Sequence, residues 1–171
     1  MERGLTLTTH AIVGAAIASL LRAHPCVAIS AAFASHFVLD AIPHWDYPIR
    51  SNSMKPGVVG AMKFDGEVLA DMLKIGTDAI LGMALAFLLL ASPGDRVLIA
   101  CGAGGAMLPD ALQFAYMRFP HEPLTSLQRF HCWIHASRDL NGRPVLGVTA
   151  QISLVVVVLL IVRVVPHFDV L

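Results

Sequence analysis

Residues 35–47 contain side chains that can bind an ion or transfer protons. The segment reads S-H-F-V-L-D-A-I-P-H-W-D-Y and closes an apolar run that begins at Pro25. On a helix, His36 and Asp40 would lie one turn apart and project from the same face. Such groups are costly in hydrocarbon, and at its edge they usually pair, bind an ion or take part in chemistry. We therefore predict that this segment contributes half of a metal site.

The same segment carries a second histidine and a second carboxylate beyond Pro43. Proline lacks the amide that would continue the hydrogen-bond ladder, so the helix should end or kink there. His44 and Asp46 then follow in a tight exit segment, and they either bind the ion or support its ligands. We predict catalytic roles for His44, for Asp40 and for Asp110.

A second polar cluster lies at residues 130–135, which read F-H-C-W-I-H. His131 and His135 are four residues apart, so on a helix both imidazoles reach one point, as in H-x-x-x-H metal sites. Phe130 and Trp133 favour an amphipathic helix at the membrane interface. The alternative is an interfacial anchor whose histidines are incidental.

The composition is that of an integral membrane protein. Of 171 residues, 56% are hydrophobic and 14% are charged, whereas soluble domains average about 25% charged residues. Mean hydropathy is +0.69. Net charge is zero with no basic tract, which makes nucleic acid an unlikely partner. The three cysteines form no C-x-x-C, so a thiolate zinc site is not expected.

We predict a single domain, 1–171. It contains five apolar runs, each close to the ~20 residues that a bilayer core requires. They cover Leu5 to Leu21, Pro25 to Ile42, Ile75 to Ala91, Val97 to Met117 and Val145 to Val165. Because lipid leaves unpaired backbone groups without partners, we predict an all-α bundle of about five spans. Residues 45–74 would form a cytoplasmic linker, and residues 118–144 a histidine-containing loop or interfacial helix.

Two helical hairpins, 5–44 and 75–117, look like copies of each other. The sequence T-H-A-I-V-G at 9–14 matches T-D-A-I-L-G at 77–82, and glycine and proline positions stay in register. Chance matching between apolar spans is the alternative. A duplicated hairpin would be a parallel repeat, and it would make Asp78 the counterpart of His10.

Antiparallel hairpins would place the candidate residues at one face of the membrane. His10 lies near the start of the first run and Asp40 near the end of the second, while Asp78 lies near the start of the third and Asp110 towards the end of the fourth. Most Lys and Arg residues fall on that side, so the positive-inside rule makes it cytoplasmic. The structural alternatives are that His10 caps its helix and that backbone amides or a lysine satisfy the two aspartates.

Neutral imidazole and carboxylate ligands suit a divalent ion, zinc before manganese or iron. The predicted ligands are His10, His36, Asp40, Asp78, Asp110, His131 and His135. No G-x-S-x-G element or phosphate-binding glycine motif competes with this interpretation. A bound ion would lower the pKa of its water and polarise a phosphoryl or acyl oxygen.

Four short motifs resemble those of small bacterial inner-membrane proteins described as membrane-bound metal-dependent hydrolases. They are T-H-A-I-V-G, S-H-F-V-L-D-A-I-P-H-W-D, G-A-M-L-P-D and F-H-C-W-I-H. The residues that match the motif positions of that family are His10, His36, Asp40, Asp110, His131 and His135. Gln113 stands where a second acidic residue often follows P-D.

Two functions therefore remain open at the level of sequence. The first is a metal hydrolase acting on a lipid-linked phosphate or ester that enters from the leaflet, where basic loops would hold an anionic headgroup. The second is a non-enzymatic protein that binds or transports a cation. A structural membrane protein whose polar residues form a hydrogen-bonded cluster is a third interpretation.

Overall fold

Six helices make up the regular structure in a computed structural model that describes residues 6–45, 48–51, 65–135, 140 and 142–165. They form because an apolar run in a membrane must pair its backbone groups internally. Their bounds are α1 (Leu7–Leu20), α2 (Pro25–Asp40), α3 (Gly66–Leu90), α4 (Arg96–Arg118), α5 (Leu124–Ile134) and α6 (Pro144–Val164). No strand occurs among these residues, which confirms the predicted all-α class.

Three of the helices have the length and apolarity of membrane spans. α3, α4 and α6 contain 25, 23 and 21 residues and are apolar enough to cross a bilayer. α1 and α2 contain 14 and 16 residues, which at about 1.5 Å per residue gives about 21 and 24 Å. Both fall short of the ~30 Å hydrocarbon core. The prediction of five spans is therefore supported for three helices and not for α1 and α2.

α1 lies at the centre of the bundle. It packs against α2, α3, α4 and α6, and most of its side chains are buried. A helix enclosed by other helices has no need to match the bilayer thickness, because protein rather than lipid surrounds it. Polar residues of the neighbouring helices can therefore gather at one end of α1, away from lipid.

Small residues allow α1 and α4 to approach closely. Gly14 and Ala18 lie one turn apart on α1, and Gly102 and Ala106 lie one turn apart on α4. A Cβ atom added to Gly102 would lie 2.5 Å from the Ala18 Cβ and 2.7 Å from the Gly14 carbonyl oxygen. This is the small-xxx-small packing found between membrane helices. Backbone touches backbone, so the relative position of the two helices is narrowly fixed.

α3 begins earlier than the apolar run predicts. The sequence predicts a start at Ile75, but the helix starts at Gly66. The reason is a local N-cap, since the Asp65 side chain accepts a hydrogen bond from the Val68 amide at 2.9 Å. Such a cap stabilises a helix by ~1 kcal/mol, so the polar residues before the apolar run continue the helix rather than a linker.

Residues 48–51 of the predicted linker, 45–74, are attached to α3 at a buried carboxylate. Asp71 accepts hydrogen bonds from the backbone amides of Arg50 and Ser51, both at 2.8 Å, and pairs with Lys74 at 3.1 Å. The segment that follows α2 is thereby held against α3. Residues 46, 47 and 52–64 of the predicted linker lie outside the described part of the chain.

The two predicted hairpins appear as two consecutive helix pairs. Residues 21–24 join α1 to α2, and residues 91–95 join α3 to α4. The pairs differ in length, with 14 and 16 residues in the first and 25 and 23 in the second. The duplication itself stays a prediction.

Replacing Gly102 with alanine should destabilise the bundle, whereas replacing Gly104 should not. The new methyl at position 102 would overlap α1, while the corresponding position at Gly104 has no atom within 4 Å. Overpacking typically costs ~1–3 kcal/mol, and an exposed Gly→Ala change in a helix is favourable by up to ~1 kcal/mol. The measurement is the apparent thermal midpoint of the detergent-purified variants. Equal midpoints for G102A and G104A would contradict the close contact.

Candidate metal centre

The end of α2 holds the centre of the candidate site. His36 and Asp40 are wholly buried, and His36 Nε2 lies 3.1 Å from Asp40 Oδ2. The helix ends at Asp40, shortly before Pro43, as the proline predicts. Burying a carboxylate is costly unless donors or cations surround it, so Asp40 requires partners from the helices that pack around it.

α4 orients His36 and adds a second carboxylate. The Nδ1 atom of His36 lies 2.8 Å from the Ala106 carbonyl oxygen. Because a carbonyl only accepts, Nδ1 carries the proton and Nε2 of the neutral ring points a lone pair into the cluster. Asp110, which follows Pro109, places Oδ1 3.6 Å from His36 Nε2. The Asp110 side chain is 22% exposed, so water can reach it.

α5 closes the cluster with a second imidazole. His131 Nε2 lies 2.8 Å from Asp40 Oδ2 and 3.4 Å from His36 Nε2. The edge of Phe37 packs against the His131 ring, with centroids 5.6 Å apart. On the outer face Trp133 is 78% exposed. The amphipathic helix predicted within residues 118–144 is therefore present, and its buried face carries the ligand candidate.

The separations within this cluster suit a tetrahedral metal ion. Donor atoms of His36, Asp40, Asp110 and His131 lie within 4.8 Å of one another. The four measured pairs of donor atoms span 2.8 to 3.6 Å. A tetrahedral ion with bonds of about 2.0–2.1 Å holds its ligand atoms about 3.3 Å apart. The two imidazoles and two carboxylates therefore fit zinc, and the same donors suit manganese or iron.

The lone pairs of the nitrogen and oxygen atoms in the cluster would also be stabilised by a cation. In its neutral form, His36 Nε2 is an acceptor facing another acceptor, Asp40 Oδ2. Two lone pairs at this distance repel each other in a buried site, where low polarity strengthens the interaction. A divalent ion removes that repulsion. An added proton also removes it, which is the hydrogen-bonded cluster that the sequence left open.

His10 joins the cluster from α1. Its ring stacks on His36 with centroids 4.2 Å apart, and its Nε2 atom lies 3.2 Å from Asp40 Oδ1. The close pair is not aligned as a hydrogen bond, so both ring nitrogens of His10 and Asp40 Oδ1 have no hydrogen-bond partner among the described residues. Buried polar atoms without partners are costly, and a cation beside Asp40 Oδ1 would satisfy that oxygen and one ring nitrogen of His10. His10, a predicted ligand, belongs to neither group of candidate ligands.

The close packing of α1 and α4 explains why His10 reaches this place. Each helix presents a row of residues spaced one turn apart, and small residues form most of each row. The rows are His10, Gly14, Ala18 on α1 and Gly102, Ala106, Asp110 on α4. The row that contains Gly14 packs against the row that contains Gly102. This contact brings the polar residues at the ends of the two rows, His10 and Asp110, towards each other.

Asp78 has a different role from the one predicted. Its Oδ2 atom accepts a hydrogen bond from the Leu7 amide at 2.6 Å, and its Oδ1 atom accepts one from the Thr8 hydroxyl at 2.6 Å. The carboxylate thus caps the start of α1, where unpaired amides attract an anion. It belongs to neither group of candidate ligands. α1 packs on α3 at this point, so Asp78 faces the first amides of α1 rather than the cluster.

His44 and His135 form a second group with Asp40. One donor atom from each of the three lies within 4.8 Å of the others. His44 is buried, and its Nδ1 atom lies 2.6 Å from the Ile42 carbonyl oxygen. The structure therefore brings both predicted residues to the cluster. Asp46 lies outside the described residues.

Sequence reasoning missed Gln151, which holds the site from α6. Its amide nitrogen donates to the Trp45 carbonyl oxygen, and its amide oxygen accepts from the Thr6 hydroxyl at 2.9 Å. Gly147 leaves room for the Trp45 side chain. The available signal was the one carboxamide of a largely apolar helix, because such a group in a membrane helix usually has a partner.

Comparisons of the chain with protein-family models, with curated proteins and with solved structures return no significant match. The resemblance of the four motifs to membrane-bound hydrolases therefore stays a hypothesis. Function has to be argued from the chemistry of the site itself.

Replacing His36 with alanine should weaken zinc binding, while replacing His24 should not. His36 faces three other donors, whereas His24 is exposed and precedes α2. Loss of a supporting residue around a metal ligand costs ~10–100-fold in affinity, so loss of a ligand should cost at least about 100-fold. Competition titration of the detergent-purified chain against a zinc chelator measures it. Equal affinities for H36A and H24A would contradict the assignment.

Proposed function

We propose that this chain is a membrane-embedded, metal-dependent hydrolase. The observation that carries the proposal is the cluster of His36, Asp40, Asp110 and His131, whose donor atoms lie within 4.8 Å of one another. Two imidazoles and two carboxylates at this spacing suit zinc, manganese or iron. A divalent ion held there would lower the pKa of a coordinated water and polarise a phosphoryl or acyl oxygen.

The residues of the cluster have separable tasks in this reaction. His36, His131 and Asp40 are buried and hold the ion. Asp110 is partly exposed, so its carboxylate is placed to accept a proton from the attacking water. The water oxygen would bond to the phosphorus or acyl carbon, the ester bond to the alcohol would break, and the departing alcohol oxygen would take up the proton that Asp110 accepted. His36 keeps its orientation through its bond to Ala106.

The proposed substrate is a lipid-linked phosphate ester that approaches along the membrane surface. α5 covers the cluster and exposes Phe130 and Trp133, which are 42% and 78% exposed. Exposed aromatic residues on an amphipathic helix favour a location at the lipid interface. Arg118 lies two turns beyond Asp110 on α4 and is exposed. Its guanidinium is suited to bind a phosphate oxygen pair.

We place the site at the cytoplasmic face of an inner membrane. Basic residues collect at the end of the bundle that carries the cluster, and fewer lie at the other end. Among described residues the first set is Arg50, Lys74, Arg118, Arg129 and Arg143, and the second is Arg22, Arg96 and Arg163. The positive-inside rule supports the cytoplasmic assignment.

A protein that binds or transports a cation without catalysis is the second candidate. The observation in its favour is the complete burial of His10, His36 and Asp40. An ion held only by these residues would be shielded from substrate. Asp110 distinguishes the two functions, because a hydrolase needs this exposed side of the cluster and an ion-holding site does not.

Asp110→Asn should lower the rate of lipid phosphate ester hydrolysis, and Glu67→Gln should leave it unchanged. Removing a proton acceptor typically costs 10²–10⁴-fold in rate, so we expect a kcat at least ~100-fold lower. Glu67 is an exposed carboxylate in the first turn of α3. The assay follows inorganic phosphate or alcohol release from phosphomonoester and phosphodiester lipids in mixed micelles, with zinc or manganese added.

Two results would count against the hydrolase. A parent protein that binds the ion tightly yet hydrolyses none of the phosphate or carboxyl ester lipids would leave the cation-binding candidate. Full activity in D110N would remove Asp110 from the mechanism. Metal content is measured on every sample, so a lost ion is not mistaken for a lost catalytic step.

A further inference from the structure

Two pairs of imidazoles flank Asp40. In the first pair, the ring centroids of His36 and His131 are 5.0 Å apart and the ring planes meet at 77°. In the second pair, the ring centroids of His44 and His135 are 5.1 Å apart and the planes meet at 72°. His131 and His135 are themselves 6.1 Å apart between centroids. The second pair therefore repeats the ring geometry of the first pair, one turn further along α5.

The spacing along the chain explains this repetition. His36, Asp40 and His44 follow one another at intervals of four residues, the first two on α2 and the third in its exit segment. His131 and His135 have the same spacing on α5, where His135 is the C-cap residue. When the two segments lie side by side, each histidine of α5 faces one histidine from the other segment. Asp40 then lies between the two pairs.

The second pair is oriented in the same manner as the first. His44 Nδ1 lies 2.6 Å from the Ile42 carbonyl oxygen, and a carbonyl only accepts, so Nδ1 carries the proton. Nε2 of neutral His44 is then left with a lone pair, as in His36. Metal-binding histidines usually have the other nitrogen fixed in this way by a carbonyl or a carboxylate.

We propose that Asp40, His44 and His135 bind a second divalent ion, so that the Asp40 carboxylate bridges two ions. Donor atoms of these three residues lie within 4.8 Å of one another, as do those of the four-residue cluster, and Asp40 is common to both groups. The inference depends on the metal centre proposed above. It does not depend on the hydrolytic reaction assigned to that centre.

The two positions differ in a way that suits different tasks. The first is surrounded by four protein donors and the second by three among the described residues. Three ligands leave a position for water or substrate, and at the first position the fourth donor, Asp110, is the group assigned to take the proton from that water. One divalent ion is balanced by Asp40 and Asp110, so a second ion would leave the centre cationic. An anionic phosphate ester is the class of ligand that such a two-ion centre binds.

The decisive variant is His44→Asn. The asparagine amide can occupy the place of Nδ1 and keep the donor to Ile42, but it has no group at the place of Nε2. We expect the full chain, purified in detergent and equilibrated with manganese, to hold two ions, and H44N to hold one. Elemental analysis measures the stoichiometry. Electron paramagnetic resonance should show coupled ions in the parent and an isolated ion in H44N.

Three further variants test the assignment. H135A should also hold one ion, and D40A should lose both because it removes the shared ligand. His121 is exposed and belongs to neither group, so H121A should hold two. Monodispersity and helical content are checked for each variant, and H44N and H135A serve as independent tests of the same position.

The possible results separate this inference from the proposed function. Two ions in the parent and one in H44N and H135A support the second position, even if no substrate is hydrolysed. A single ion in the parent overturns the inference, and hydrolysis by that protein would leave the proposed function standing. Two ions retained in both variants overturn it as well, because the second ion would then lie elsewhere.

Discussion

A carboxylate without access to water constrains the whole arrangement. Asp40 is wholly buried at the end of α2, where an uncompensated charge would cost several kcal/mol. Imidazoles on three helices approach its two oxygens, namely His10 on α1, His36 on α2 and His131 on α5. Displacing any of these helices would deprive the charge of a neighbour. The stability of the buried Asp40 charge therefore depends on how these helices pack, and the charge in turn favours that packing.

The apolar part of the bundle makes this gathering sterically feasible. Gly14 and Gly102 allow α1 and α4 to touch through their backbones, and Asp78 fixes the start of α1 against α3. α1 is short and enclosed by α2, α3, α4 and α6, so it has no need to match the thickness of the bilayer. The longer helices α3, α4 and α6 supply the membrane-spanning length.

Sequence reasoning succeeded where the controlling interaction is local. The one-turn spacing of His36 and Asp40, and the end of α2 before Pro43, follow from helix geometry and proline chemistry. It missed the contacts of Asp78, which a distant helix decides, and one local feature, the cap at the start of α3. The capping role of Asp78 depends on α3 meeting the first turn of α1. The early start of α3 was missed because apolar periodicity does not register the Asp65 cap.

The sequence by itself determined the helical class, the apolar character and the residue types available to bind an ion. These follow from composition and from the fixed rise and turn of the α-helix, which are local properties. Only the tertiary structure decided that His10, Asp110 and His131 meet at Asp40 while Asp78 turns to a helix terminus. The physical reason is that such contacts join residues far apart in the chain, and their existence depends on which helix faces pack together.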